Sequence, residues 1–125
     1  MDKKKRLFLI DAYALIFRGY YAFIKNPRIN SKGVDTSAIL GFTNSLAKEL
    51  GQYNIRVHAI APGYTRTAMT QRWIDKGVEP QIMEMTPLRK VGIPDDIAKL
   101  VNFLCSDESD FMTGHVTYID GGLGL

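Results

Sequence analysis

Ser45-Leu46-Ala47-Lys48-Glu49-Leu50-Gly51-Gln52-Tyr53-Asn54-Ile55-Arg56-Val57-His58-Ala59-Ile60-Ala61-Pro62-Gly63-Tyr64-Thr65-Arg66-Thr67 is the stretch whose reading decides the fold. It reads as the end of an amphipathic helix, a glycine stop, a buried strand, and a Pro-Gly loop that opens the next helix. Helix, strand and loop in that order are half of a parallel α/β unit.

Working outward, Ile39, Phe42, Leu46 and Leu50 recur at helical spacing and predict the apolar face of the helix that Gly51 ends, with Asp35 or Thr36 as its cap. Upstream, Leu7-Phe8-Leu9-Ile10 suits a buried parallel strand punctuated by Asp11. Tyr13 to Ile24 predicts a helix, and Lys25 to Gly33 carries the Asn, Pro, Ser and Gly of a loop. Downstream, Thr67 is the expected N-cap of a helix running to about Lys76 and closed by Gly77. A short helix is expected around Gln81 to Met85, with Pro80 at its start. Pro94, Asp95 and Asp96 open a helix whose apolar face is Ile97, Leu100, Val101 and Leu104. His115 to Ile119 is the last strand, ended by Asp120-Gly121-Gly122. The order predicts a three-layer, Rossmann-like α/β unit, a short and mainly parallel sheet of about three strands with helices on both faces. At 125 residues with 46% hydrophobic content, the chain is expected to be one domain with one modest core.

Composition narrows the function classes. The single Cys105 excludes an intramolecular disulfide and a cysteine metal cage, which fits a reducing, cytoplasmic setting. No apolar run approaches the roughly 18 residues that span a bilayer. Asp11 and Arg18 interrupt the apolar run after the lysines, which argues against a signal peptide. Charge is uneven: residues 1–32 hold eight Lys/Arg against two Asp, whereas residues 33–125 hold eight against eleven Asp/Glu. The basic head, Lys3, Lys4, Lys5, Arg6, Arg18, Lys25, Arg28 and Lys32, could meet a polyanion such as nucleic acid or stand as a solvated terminus.

From about Gly41 to the end the chain resembles the C-terminal half of a classical short-chain dehydrogenase/reductase, nearest to the 3-oxoacyl-acyl-carrier-protein reductases. The carrying residues are Ser45 to Leu50, Asn54 to Gly63, Thr67-Ala68-Met69-Thr70, Thr86-Pro87-Leu88-Arg89, Gly92 to Ala98, Phe103 to Asp107, Thr113-Gly114-His115 and Asp120-Gly121-Gly122. The resemblance implies that Pro62, Gly63, Tyr64, Thr65 and Thr67 form the loop receiving the nicotinamide end of NAD(P). It also implies subunit contacts through the helix ending at Leu50 and the final strand, hence self-association. His58 stands where that family commonly has Asn.

Two family features have no counterpart. Nothing in the sequence matches a G-x-x-x-G-x-G turn before a helix, and the catalytic Tyr-x-x-x-Lys falls in register on Lys32 and Thr36. Tyr21 and Lys25 have the spacing but lie about a dozen residues too early, and are read as a chance match. No catalytic residue is therefore assigned, and the expectation is a chain without oxidoreductase activity of its own.

Residues 2 to about 46 resemble instead the start of a bacterial DNA polymerase I, whose N-terminal domain is a 5′-nuclease. The run is Lys5 through Phe23, extended by Asn30 to Gly33 and Thr36 to Leu46. The resemblance makes Asp11 a weak candidate for one ligand of a two-metal site, although such a site needs several convergent carboxylates. The two likenesses meet in Gly41 to Leu46, so the chain reads as a chimera, residues 1–44 nuclease-like and 45–125 reductase-like.

Overall fold

The computed structural model describes residues 6–11 and 37–124. Three strands, β1 (Arg6–Asp11), β2 (Ile55–Pro62) and β3 (His115–Ile119), form one sheet in the order β1-β2-β3. Both pairings are parallel. Four helices are described: α1 (Ser37–Leu50), α2 (Gln71–Ile74), α3 (Glu79–Met85) and α4 (Pro94–Cys105). The three-stranded parallel sheet agrees with the sequence reading. The predicted helix Tyr13–Ile24, the loop to Gly33, the caps Asp35 and Thr36, the register positions Lys32 and Thr36, and all the basic head except Arg6 lie outside the described residues.

β2 is central, and its residues from Val57 to Ile60 are all buried. Side chains alternate across a strand. Ala59 meets Ile39 of α1 and Val116 of β3 on one face. Arg56, one residue out of phase, reaches the carboxyl end of α4 on the other. Helices thus cover both faces of β2.

α1 buries the expected stripe only in part: Leu46 and Leu50 are half-buried, and Phe42 gives way to Thr43 and Ala47. Ile39, Thr43 and Ala47 are buried, while Phe42 is 48% exposed. The buried positions sit four apart, one above another on the helix. Two of them are small, which lets the helix lie close to the sheet: a Cβ on Gly114, just before β3, would stand 3.3 Å from the Ala47 Cβ. After Leu50 a 3-10 turn, Gly51–Tyr53, is ended by Asn54 in the left-handed region (φ 59°), a conformation that Asn tolerates better than most residues. In α4, Pro94 takes the first position, and Asp96 accepts a hydrogen bond from the Ile93 amide at 3.1 Å. Leu104 is fully buried, and Ile97, Leu100 and Val101 are half-buried, as the periodicity predicts.

The last carbonyls of a helix have no partner within it. In α4 one of them, the Leu104 oxygen, is taken by Arg56, which also binds the turn that follows the helix. Its guanidinium donates to the Leu104 oxygen (2.8 Å), the Ser106 oxygen (3.1 Å), and the oxygen and hydroxyl of Ser109 (3.1 and 2.7 Å). Ser109 is itself buried, and its hydroxyl also lies within 3.1 Å of the Phe103, Leu104 and Ser106 oxygens. A cation facing helix-end carbonyls is favoured by the helix dipole as well as by the bonds. At the other end of β2, Gly63 abuts the end of β3. Its amide donates to the Ile119 oxygen at 3.0 Å, and a Cβ there would fall 2.6 Å from the Asp120 Cα.

Two substitutions test these contacts. Arg56→Met should lower stability to urea by about 2–3 kcal/mol, because several half-buried carbonyls lose a charged donor together. Gly63→Ala should cost about 1–3 kcal/mol, since backbone must move to admit the methyl. Gly51→Ala, which meets nothing within 4 Å, should be neutral or slightly stabilising in the same assay.

Candidate functional site

In an open parallel sheet, ligands bind outside the carboxyl ends of the strands, where loops rather than side-chain-filled layers meet solvent. The loop leaving β2 there is Pro62-Gly63-Tyr64-Thr65-Arg66-Thr67, and it is held from several directions. The Gly92 amide donates to the Tyr64 oxygen at 3.0 Å, and the Arg66 amide donates to the Gly92 oxygen at 2.9 Å, making a parallel bridge between Thr65 and Gly92. A Cβ on Gly92 would lie 3.2 Å from that Tyr64 oxygen, so the close approach favours glycine on this side too. The Thr65 hydroxyl donates back to the Gly63 oxygen at 3.0 Å.

Thr70 closes the loop. Its hydroxyl accepts from the Thr67 amide at 2.8 Å and lies 2.7 Å from the Thr65 oxygen, to which it donates. Thr67 itself does not cap a long helix, because its hydroxyl meets the Thr70 hydroxyl at 3.2 Å instead of a backbone amide. Residues 67–70 form a turn of their own, and α2 runs only from Gln71 to Ile74, with Thr70 at the position before it and no side-chain cap. Gly77, in the left-handed region (φ 73°), does stop the segment as the sequence indicated. Arg66 reaches over to α3, where its guanidinium makes a forked ion pair with the Glu79 carboxylate. That contact raises the affinity of Arg66 for its proton, principally through the hydrogen bond.

The predicted loop residues are thus contiguous in space as well as in sequence. A cleft of about 530 Å³ lies beside them, between the end of β3 and the start of α4. Of the predicted residues only Tyr64 lines it; the others do not. The rest of its wall includes Leu88, Lys90, Ile97, Tyr118 and Gly122. At its base the Asp120 carboxylate accepts from the Gly122 and Gly124 amides at 2.9 and 3.0 Å. Sequence reasoning gave no role to Thr70 or to the Arg56 clamp. The sequence offered a partial signal for the first, a threonine three residues after Thr67. For the second it offered none, because the partners are carbonyls about fifty residues away.

The backbone of Asp11 ends β1 in register with Ile60, and its side chain lies outside the described residues. Among the described residues no group of three or more His, Cys, Asp or Glu could hold a metal ion. No helix among them is long and apolar enough to cross a membrane.

The family described as enoyl-(acyl carrier protein) reductase matches residues 13–124, and so reaches well into the segment expected to be nuclease-like. Human dehydrogenase/reductase SDR family member 4 is 38% identical over 102 residues, which are 81% of this chain and 37% of that protein. The 3-oxoacyl-acyl-carrier-protein reductase of Thermotoga maritima is 41% identical over 98 residues, 78% of this chain and 39% of the relative. A solved 4-hydroxyisoleucine dehydrogenase mutant, complexed with NADH and succinate, superposes with a TM-score of 0.71 at 30% identity, over 97% of this chain and 48% of its own. The chain spans under two fifths of the length of these two curated relatives. By the family match and by its Rossmann-like neighbours, the chain belongs to the short-chain dehydrogenase/reductase family.

Proposed function

We propose that these residues form the nicotinamide-side half of a reductase site, and that this chain does not by itself catalyse hydride transfer. The observation that carries the reading is the pinned Pro62–Thr67 loop at the strand ends, held by Gly92, Asp120 and Thr70. Its course suits an approaching nicotinamide: two glycine positions bring backbone close together, and the loop opens where a helical turn begins. The Thr67 amide already serves Thr70, so Thr67 has its hydroxyl to offer toward a carboxamide, beside the hydroxyl of Thr70 at 3.2 Å. NAD(P), when bound, would supply the hydride chemistry; Pro62, Gly63, Tyr64, Thr65 and Thr67 would orient its nicotinamide end.

The chain's residues do not provide the rest. A dinucleotide gains much of its affinity from a Gly-rich turn cradling its phosphates, and no such motif occurs in the sequence. Reduction of a carbonyl also needs a proton donor of matched pKa, and the register positions for that Tyr and its Lys hold Lys32 and Thr36. A two-part origin, with residues 1–44 from a polymerase-nuclease-like source, accounts for that substitution. It also accounts for the basic head, for which weak, salt-sensitive nucleic-acid binding is the corresponding activity.

A second reading, compatible with the first, is self-association. β3 is an edge of the described sheet, and exposed apolar side chains flank it: Tyr118, Leu88 and Ile93. On α1, Leu40 and Phe42 also face outward. Unpaired strand edges and exposed apolar groups both favour pairing with another copy.

Thermal melting of the purified chain with and without about 1 mM NADPH tests the first reading. A midpoint unmoved by cofactor, with no carbonyl-dependent loss of NADPH absorbance, is the expected result. A rise of roughly 5 °C or more would show tight binding to the native state and refute it. Light scattering tests the second: the native chain should give more than the monomer mass, and Phe42→Glu or Tyr118→Lys should reduce it. A monomer at about 50 μM would exclude self-association of that strength.

A further inference from the structure

His58 lies on the central strand, fully buried, and among the described residues neither ring nitrogen makes a hydrogen bond of good geometry, the backbone of Met112 alone lying near enough to act on the ring. A buried imidazole normally satisfies at least one nitrogen, because an unpaired polar atom forfeits its hydration for nothing. Its place in the sheet makes the charge state matter further. On the same strand, two residues earlier and on the same face, stands Arg56, whose guanidinium holds the carboxyl end of α4 and the Ser109 turn. In register on β3 stands His115. In register on β1 stands Leu9, and that strand's charged residues, Arg6 and Asp11, lie at the registers of Ile55 and Ile60. The acidic residues Asp107, Glu108 and Asp110 belong to, or adjoin, the turn that Arg56 grips. Among the described residues, the side chains whose charge acts on His58 are Arg56 and His115, both basic.

We propose that His58 is an acid-sensitive latch: taking up a proton there loosens β2 from the Arg56-held end of α4 and from β3. The physical cause is twofold. A cation formed at a site closed to water loses hydration. It also repels the neighbouring guanidinium, which cannot give up its own charge and is held by neutral oxygens. Both effects, burial first and Arg56 second, hold the His58 pKa below its ordinary 6.5, with His115 adding to them and the Met112 backbone opposing. The unfolded or loosened chain then binds the proton before the native one does. Stability is complete above the ordinary histidine pKa and falls as pH drops below it, by up to about tenfold in the folding equilibrium per pH unit.

An amide does not titrate, so an Asn at this position would remove the latch. It concerns the sheet itself, and stands whether or not the Pro62–Thr67 loop binds a cofactor.

Hydrogen exchange of the full chain, followed by peptide mass spectrometry from about pH 7.5 to pH 5 and corrected for intrinsic rates, tests it. Native protein should lose protection across residues 103–119 by about tenfold or more over that range. His58→Asn should keep its protection nearly flat, and His115→Gln should follow the native chain. Equal losses in the native chain and in His58→Asn, or no loss in the native chain, would overturn the proposal. Should His58→Asn not fold, imidazole NMR of the native protein decides. A His58 ring that titrates only as protection is lost supports the latch, and one that titrates near pH 6.5 with protection intact refutes it.

Discussion

A central parallel strand must find partners for its backbone on both edges, and none of them can come from a tight turn of its own chain. That constraint governs this structure. β2 takes β1 on one side and β3 on the other, from positions about fifty residues before and after it. Where the sheet ends, the need continues, because the loop's amides and carbonyls still require partners. Gly63 finds the Ile119 oxygen, and Tyr64 and Arg66 find Gly92. The loop is thus an extension of strand pairing beyond the sheet, and its shape is fixed by the same bonds that fix the fold. A site built this way costs little ordering when a ligand arrives.

The two ends of β2 solve different problems. At Arg56 a charged side chain satisfies helix-end carbonyls, and the helix is fastened to the sheet through its dipole. At Gly63 the absence of a side chain lets two strand ends touch. The first contact sets where α4 lies; the second sets how close the loop comes to Asp120-Gly121-Gly122. α4 also starts two residues after Gly92, so the segment that bridges Thr65 leads directly into the helix that Arg56 holds. Strand, helix and loop form a closed circuit of contacts. A shift at one junction is felt at the other.

Legibility in the sequence followed the same division. β2 is plain in the sequence because Val57 to Ala61 is apolar but for His58 and is bounded by Asn54 and Gly63, and β3 because Val116 to Ile119 stands between Gly114 and Gly121. α4 was plain because proline, two aspartates and a four-residue stripe agree with each other. In α1 the expected stripe fails at one position: Phe42 outranks Thr43 and Ala47 in hydrophobicity, yet the sheet accepts the small pair and turns the ring outward. Hydrophobic rank measures transfer from water, whereas close approach to a sheet selects size. The shortness of α2 is not legible because the Thr67 hydroxyl pairs with that of Thr70 instead of capping, a local bond that periodicity does not register. Arg56 had no legible partner at all, since backbone carbonyls carry no residue identity.

Family membership and activity rest on different residues. The loop's geometry needs only glycines, threonines and neighbours within residues 62–122, all of which the chain has. Hydride transfer needs, in addition, a donor placed at the reacting oxygen and a cradle for the phosphates, which depend on particular residues elsewhere in the sequence. Fold-level likeness is carried by the first set, because packing and backbone bonding dominate what superposes. Chemistry is carried by the second. The loop's course is thus set by backbone bonding, independently of any chemistry beside it, and the strand beneath it carries in His58 a buried side chain whose protonation burial and Arg56 both disfavour.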